Sequence, residues 1–129
     1  MNNLSHSEEH YLKEIFHLSG RSDDRVSTNS LASRLSTKAS SITDMLQRLS
    51  EKKLVEYVKY KGCYLTEDGE KIAIQIIRKH RLWETFLVNK LNFGWEAVHE
   101  VAEQLEHIDS QKLLDSLHGF LTYPKFDPP

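Results

Sequence analysis

Apolar positions recur at helical spacing through most of this chain and at strand spacing in one short stretch. In SEEHYLKEIFHLSG, Tyr11, Leu12, Ile15 and Leu18, with Phe16 as the alternative to Leu18, form a stripe that predicts a helix. Ser5 followed by Glu8 has the form of a capping box, and Gly20 supplies a stop. After the polar loop RSDDR, VSTNSLASRL predicts a short helix from about Thr28 that buries Leu31, Ala32 and Leu35. STKASSITDMLQRLSEKK predicts a second, burying Ile42, Met45, Leu46 and Leu49, and the turn Ser36-Thr37-Lys38-Ala39 joins the two as a helix-turn-helix. In LVEYVKYKGCYLT the period changes. Val55, Tyr57 (or Val58) and Tyr60 alternate around Lys61-Gly62, which predicts a β-hairpin with glycine at a tip that needs positive φ. A hairpin directly after a helix-turn-helix is a wing.

Helical spacing then resumes. Thr66 caps TEDGEKIAIQIIRKHRLWETFLVNKL, whose Ile72, Ile76, Trp83 and Leu87 are too apolar to be left in water, and Asn92-Phe93-Gly94 breaks it. A further helix runs from about Trp95 to Ile108. The last, from Ser110 to Leu121, carries Leu113, Leu114, Leu117 and Phe120 before TYPKFDPP ends regular structure. Three helices of this size make a thin layer with a weak core, and burying that surface against a second copy predicts a homodimer.

Composition narrows the class. The chain has 129 residues, a net charge of −2 and a single cysteine, Cys63, so no intrachain disulfide forms. Apolar runs fall short of the roughly 20 residues that span a bilayer, and MNNLSHSEEH lacks the basic and apolar regions of a signal peptide. A cytoplasmic protein with no membrane partner is expected. Charge is unevenly spread: Arg34, Lys38, Arg48, Lys52, Lys53, Lys59 and Lys61 outnumber the acids between positions 34 and 61, and the balance reverses from Glu67 onward. A basic half suits phosphate. In a winged helix-turn-helix, Thr28, Lys38, Ser40, Ser41 and Thr43 suit base-edge and phosphate contacts, while Gln47, Arg48, Lys59 and Lys61 reach the backbone of double-stranded DNA.

The acidic half carries different chemistry. In HEVAEQLEH, His99, Glu103, Glu106 and His107 share a helix face beside the apolar stripe Val98, Val101, Ala102, Leu105 and Ile108, placing them at the edge of a packed contact. Such groups are paired, protonated or metal-bound, because burying them alone costs several kcal/mol. His80 and Glu84, four apart on the preceding helix, can meet His99 and complete a three-ligand cluster. Imidazole and carboxylate without thiolate suit Mn²⁺, Fe²⁺, Co²⁺ or Zn²⁺; salt bridges to Lys79 and Arg81 are the alternative. His10 stands with Glu14 and His17 on the polar side of the first helix, and if it reaches Glu103, Glu106 and His107 a metal ties the two halves together.

These residues resemble the metal-responsive repressors of the diphtheria-toxin-repressor and manganese-transport-regulator type. The likeness runs from EEHYLKEIFHL through SSITDMLQRLSEKKLVEY, YKGCYLTEDGEKIA and RKHRLWE to HEVAEQLEH; the E-x-x-E-H ending downstream of K-H-R-L-x-E distinguishes it from other winged-helix regulators. The resemblance implies a mainly α fold: an N-terminal winged helix-turn-helix DNA-binding domain (residues 1–72), then an all-helical dimerisation and metal-binding domain (73–129), the junction lying inside the long helix. It implies a dimeric repressor whose metal-bound form grips a palindromic operator and silences metal-uptake genes, with His80, Glu84 and His99 as an ancillary metal site and His10, Glu103, Glu106 and His107 as the primary one. Position 10 is commonly methionine in the iron branch and aspartate in the manganese branch, and here it is histidine; Lys13 replaces a glutamate of the manganese branch's two-metal cluster. Glu103, where the iron branch tends to have cysteine, leans the primary site toward Mn²⁺, and the ancillary triad leans toward Fe²⁺. The reading adopted is Mn²⁺ or Fe²⁺ as co-repressor, manganese favoured. Its rivals are a ferritin-like di-iron carboxylate enzyme, from the E-x-x-H pairs Glu14/His17 and Glu96/His99, and a winged-helix regulator that needs no metal.

Overall fold

The computed structural model describes residues 4–19 and 25–122; the predicted stop at Gly20, most of the loop after it and the end of regular structure at residues 123–129 lie outside them. The elements run α1 (His6–Ser19), α2 (Thr28–Leu35), α3 (Ala39–Glu51), β1 (Val55–Val58), β2 (Gly62–Leu65), α4 (Glu67–Leu91), α5 (Trp95–Leu105) and α6 (Gln111–Thr122). The chain divides into two compact units between Ile74 and Gln75.

The first unit is a three-helix cluster with a wing. Leu12 and Ile15 of α1, Leu31 of α2 and Ile42, Leu46 and Leu49 of α3 have no exposed surface, each stabilising the unit by about 1.5–3 kcal/mol relative to exposure. The capping box forms in both directions: Glu8 N–H donates to Ser5 Oγ at 3.1 Å and Ser5 N–H to Glu8 Oε1 at 2.9 Å. Ser27 caps α2, accepting from Ser30 N–H, and Ser36, in the left-handed region at φ 51, ends it by donating to the Ala32 and Ser33 carbonyls. Ala32 and Leu35 are half-buried, less than the sequence pattern predicts.

The hairpin pairs β1 and β2 antiparallel, Val55 opposite Leu65 and Val58 opposite Gly62. Val26 adds a third, one-residue strand unsuspected from the sequence: its N–H donates to the Cys63 carbonyl at 2.7 Å and Cys63 N–H returns the bond at 2.9 Å. This corrects the role of Gly62. Its φ is positive, +92°, but it opens β2 instead of forming the tip, and any Cβ there would overlap the Val26 carbonyl. The turn residue with left-handed backbone is Tyr60, φ 70. Burial beside this bridge pushes the Cys63 thiol up to about 12, with Arg25 opposing more weakly.

Thr66 caps α4 as predicted: its hydroxyl accepts from Gly69 N–H at 3.1 Å and donates to the Lys53 carbonyl at 2.9 Å. In the second unit, Trp83 and Leu87 of α4, Val98 and Ala102 of α5 and Leu117 of α6 form the core. Asn92, φ 59, breaks the chain between α4 and α5. Here α5 ends at Leu105, three residues short of the sequence prediction, so Glu106 is its C-cap and His107 lies in the turn beyond. Leu113 and Phe120 remain 41% and 49% exposed, so α6 turns only part of its apolar surface inward.

Candidate metal centre and nucleic-acid interface

The long helix α4 sets the metal-ligating candidates. His80 and Glu84, one turn apart, project together, and α5 brings His99 against them. His80 Nε2 lies 3.0 Å from Glu84 Oε2 and 3.2 Å from His99 Nδ1, and Glu84 Oε2 lies 3.5 Å from His99 Nδ1. Three donor atoms thus form a triangle with edges of 3.0, 3.2 and 3.5 Å. A divalent ion holding nitrogen and oxygen at about 2.1 Å separates its ligands by about 3.0–3.4 Å in octahedral or tetrahedral arrangements. The donor set fits a transition-metal ion, and among the described residues it is the group of three or more ligating side chains whose donors converge.

The residues assigned to a primary site are distributed differently. Glu106 has no exposed surface and its Oε1 lies 2.7 Å from His80 Nδ1; His107 Nε2 lies 3.6 Å from Glu106 Oε2. Glu103 reaches the other set, its Oε2 3.5 Å from His99 Nε2. The expected edge position therefore holds for His99, 65% exposed, and Glu103, 35% exposed, but not for Glu106 and His107, at 0 and 9%. The reason is the helix face: Glu106 keeps αR backbone with its N–H on the Ala102 carbonyl, and at spacings of four and eight it continues the buried stripe of Ala102 and Val98. His10 lies half-buried on α1 in the first unit.

His80 is the joint between the two sets. An imidazole donates to carboxylates through both nitrogens only as the imidazolium; with a cation facing Nε2, Nδ1–H stays on Glu106 and the Nε2 lone pair is free to ligate. Of the cations weighed as neutralisers, Lys79 donates to the Ile108 carbonyl at 3.3 Å and Arg81 is exposed.

The predicted polar side of α1 is corrected by burial. Glu14 is buried and paired with Arg34 of α2. Glu8, 4% exposed, is paired with Lys52 at the end of α3, 2.8 Å away. Burial pushes the Glu8 carboxyl up, but the Lys52 ammonium and the Ser5 N–H and hydroxyl outweigh it and hold the group below its ordinary 4.5. Sequence spacing gives no hint of these pairs, since partners 20 and 44 residues apart meet only through tertiary packing. With Glu14 held by Arg34 and Glu96 exposed in the first turn of α5, the two E-x-x-H pairs are not a bundle's inward ligand set, and the di-iron reading is not supported.

Of the residues expected to contact DNA, Lys38, Ser40, Ser41, Gln47 and Arg48 are exposed along the start and outer face of α3, Thr43 and Thr28 are half-buried, and Lys59 and Lys61 are exposed at the wing tip. Arg25, exposed and outside the expected set, is stacked 4.6 Å from the Tyr64 ring centre.

Residues 3–63 match the iron dependent repressor, N-terminal DNA binding domain, and residues 66–129 match the iron dependent repressor, metal binding and dimerisation domain. The chain belongs to the iron-dependent repressor family. Within it, the chain is 34% identical over 118 residues to an uncharacterized HTH-type transcriptional regulator of Methanocaldococcus jannaschii, covering 92% of this chain and 94% of that one. It is 31% identical over 121 residues to the HTH-type transcriptional regulator MntR of Oceanobacillus iheyensis, covering 94% and 81%. A manganese-dependent transcriptional repressor solved in complex with manganese superposes with a TM-score of 0.79 at 38% identity over 91% of this chain. This chain spans about half, 53%, of that solved repressor. The family's DNA-binding domain is the winged helix-turn-helix, and its metal-binding domain is the unit holding the donor triangle. Among the described residues no helix is long and apolar enough to cross a membrane.

Proposed function

We propose that this chain is a metal-responsive transcriptional repressor, working in the cytoplasm as a homodimer on a palindromic operator, with Mn²⁺ favoured over Fe²⁺ as co-repressor of metal-uptake genes. The observation that carries the reading is the donor triangle of His80, Glu84 and His99 inside the family's metal-binding domain. Glu103, Glu106, His107 and His10 are assigned to a second site adjoining it through His80. An all-imidazole and carboxylate set, with no thiolate or thioether, supports manganese over softer ions.

When bound, the divalent ion supplies positive charge that neutralises carboxylates otherwise crowded together. Glu106 holds the Nδ1 proton of His80 and so fixes the ring with Nε2 toward Glu84 and His99. In the first unit, the Glu8–Lys52 and Glu14–Arg34 pairs tie α1 to both helices of the DNA-reading motif, so α1, which carries His10, moves with them as one body. Two such motifs in a dimer read half-sites about 34 Å apart, or a multiple, which makes their spacing the quantity that regulation acts on.

The test is selection of duplexes from a random-sequence pool by the Mn²⁺-loaded chain, followed by titration of the enriched duplex with and without a chelator. Binding that is lost on chelation and restored by Mn²⁺ supports the reading; equal binding under chelation returns the metal-independent regulator.

A further inference from the structure

The wing tip carries a side chain that the fold does not use. Tyr60 is 93% exposed, whereas Tyr11 is buried and Tyr57 and Tyr64 are half-buried. Its backbone is left-handed at φ 70, a conformation glycine or asparagine adopts at lower cost. The turn is closed by Lys61 N–H donating to the Val58 carbonyl at 2.9 Å, a bond that does not involve the tyrosine ring. Cations adjoin it in the chain: Lys59 Nζ lies 5.3 Å from the ring centre, and Lys61, the next residue, is exposed. A costly conformation, a wholly exposed aromatic and two lysines coincide on the wing of a DNA-binding domain.

We propose that Tyr60 enters the minor groove of the bound duplex where the wing crosses it, and that it favours A·T pairs there. This rests on the regulator reading above and names what its wing recognises. The minor groove is about 6 Å wide and admits an aromatic ring edge-on, with phosphates on both rims for Lys59 and Lys61. A·T and T·A pairs present only acceptors there, adenine N3 and thymine O2, to which a phenolic O–H donates; a G·C pair interposes an amino donor in the same place. Tyr60 is then a second reader of sequence, separate from the exposed Ser40 and Ser41 at the start of α3.

The experiment is the same duplex selection with the Mn²⁺-loaded full chain, run in parallel for wild type, Y60A, Y60F, Y60G and K59A. The wild type is expected to enrich A·T pairs at the flanks beneath the wing. Y60A and Y60G are expected to lose that enrichment and bind the wild-type duplex about ten-fold more weakly, with the slope of affinity against salt unchanged. Y60F keeps the ring but loses the A·T preference. K59A keeps the preference and lowers the salt slope by about one. Because Y60G relieves the left-handed backbone, a Y60G chain that melts no lower than wild type yet binds more weakly ties the loss to the side chain. If Y60A and Y60G enrich the same flanks with wild-type affinity, the wing inference is overturned and the repressor reading stands. If the wild type enriches no duplex at all, the repressor reading falls and this one with it.

Discussion

Nδ1 of His80 lies 2.7 Å from Oε1 of Glu106, a carboxylate without exposed surface, while Nε2 of the same ring lies 3.0 Å from Glu84 Oε2. One ring therefore connects a fully buried carboxylate of the second unit to the donor triangle. A histidine positioned this way on a metal owes its tautomer and part of its basicity to the carboxylate behind it. Glu106→Gln preserves the shape and leaves an amide oxygen for Nδ1–H. The expected outcome is a folded chain whose Mn²⁺ affinity falls about 10–100-fold, read by isothermal titration. His99→Ala, which removes an exposed triangle vertex, is expected to weaken Mn²⁺ binding without lowering the melting temperature of the metal-free chain; unchanged affinity in both variants would show that the triangle of His80, Glu84 and His99 does not hold the ion.

Proton bookkeeping gives a second test. Nε2 of His80 faces both Glu84 Oε2 and His99 Nδ1, and ligation there needs its lone pair free of any proton shared with them. Mn²⁺ binding is expected to release protons, seen as a binding enthalpy that depends on the ionisation heat of the buffer. An enthalpy identical in all buffers would show that Nε2 carries no proton to lose.

In the first unit, Glu8 and Lys52 make a separate pH-sensitive element. The Glu8 carboxyl is held below 4.5 in the folded chain, so the unfolded chain binds the proton more tightly, and the pair's contribution is present above 4.5 and disappears as pH falls through the lower folded value. Lys52→Ala leaves Glu8, 4% exposed, without its ammonium. With Lys52 itself 38% exposed, solvent discounts the loss to about 1–2 kcal/mol. Urea denaturation at neutral pH measures this, and the gap between variant and wild type is expected to narrow below pH 4.5.

How far the sequence reached follows from range. Helical periodicity located α1 to α6, the hairpin and the Ser5–Glu8 and Thr66 caps, because each depends on residues within a turn or two. The pairing of Val26 with Cys63 and the ion pairs Glu14–Arg34 and Glu8–Lys52 depend on tertiary packing, which periodicity does not encode; the burial of Glu106, four and eight residues from Ala102 and Val98, was legible in the helical spacing. At the candidate site, spacing of four placed His80 with Glu84. The contacts with His99 and with Glu106 both needed α5 to pack back on α4. The alternation of Tyr60 with Val55 and Tyr57 reads as strand, whereas Tyr60 sits in the turn between β1 and β2.

The glycines divide by what faces them. At Gly62, φ +92, a Cβ meets the Val26 carbonyl, and at Gly69 it meets the Leu54 carbonyl; at Gly94 it meets only the end of the Glu96 side chain, 3.2 Å away. Backbone carbonyls cannot swing aside as a side chain can. Gly62→Ala must break the Val26–Cys63 bridge and also hold alanine in a left-handed backbone, and Gly69→Ala must push the first turn of α4 off the chain entering β1. Each is expected to cost about 2 kcal/mol or more, and both are expected to weaken DNA binding, because the wing hangs on those two contacts. Gly94→Ala, at an exposed helix N-cap with φ −81, is expected to stay within about 1 kcal/mol of wild type. Chemical denaturation of the three variants ranks them; Gly94→Ala as the most damaging of the three would show that the wing is not held by backbone contact.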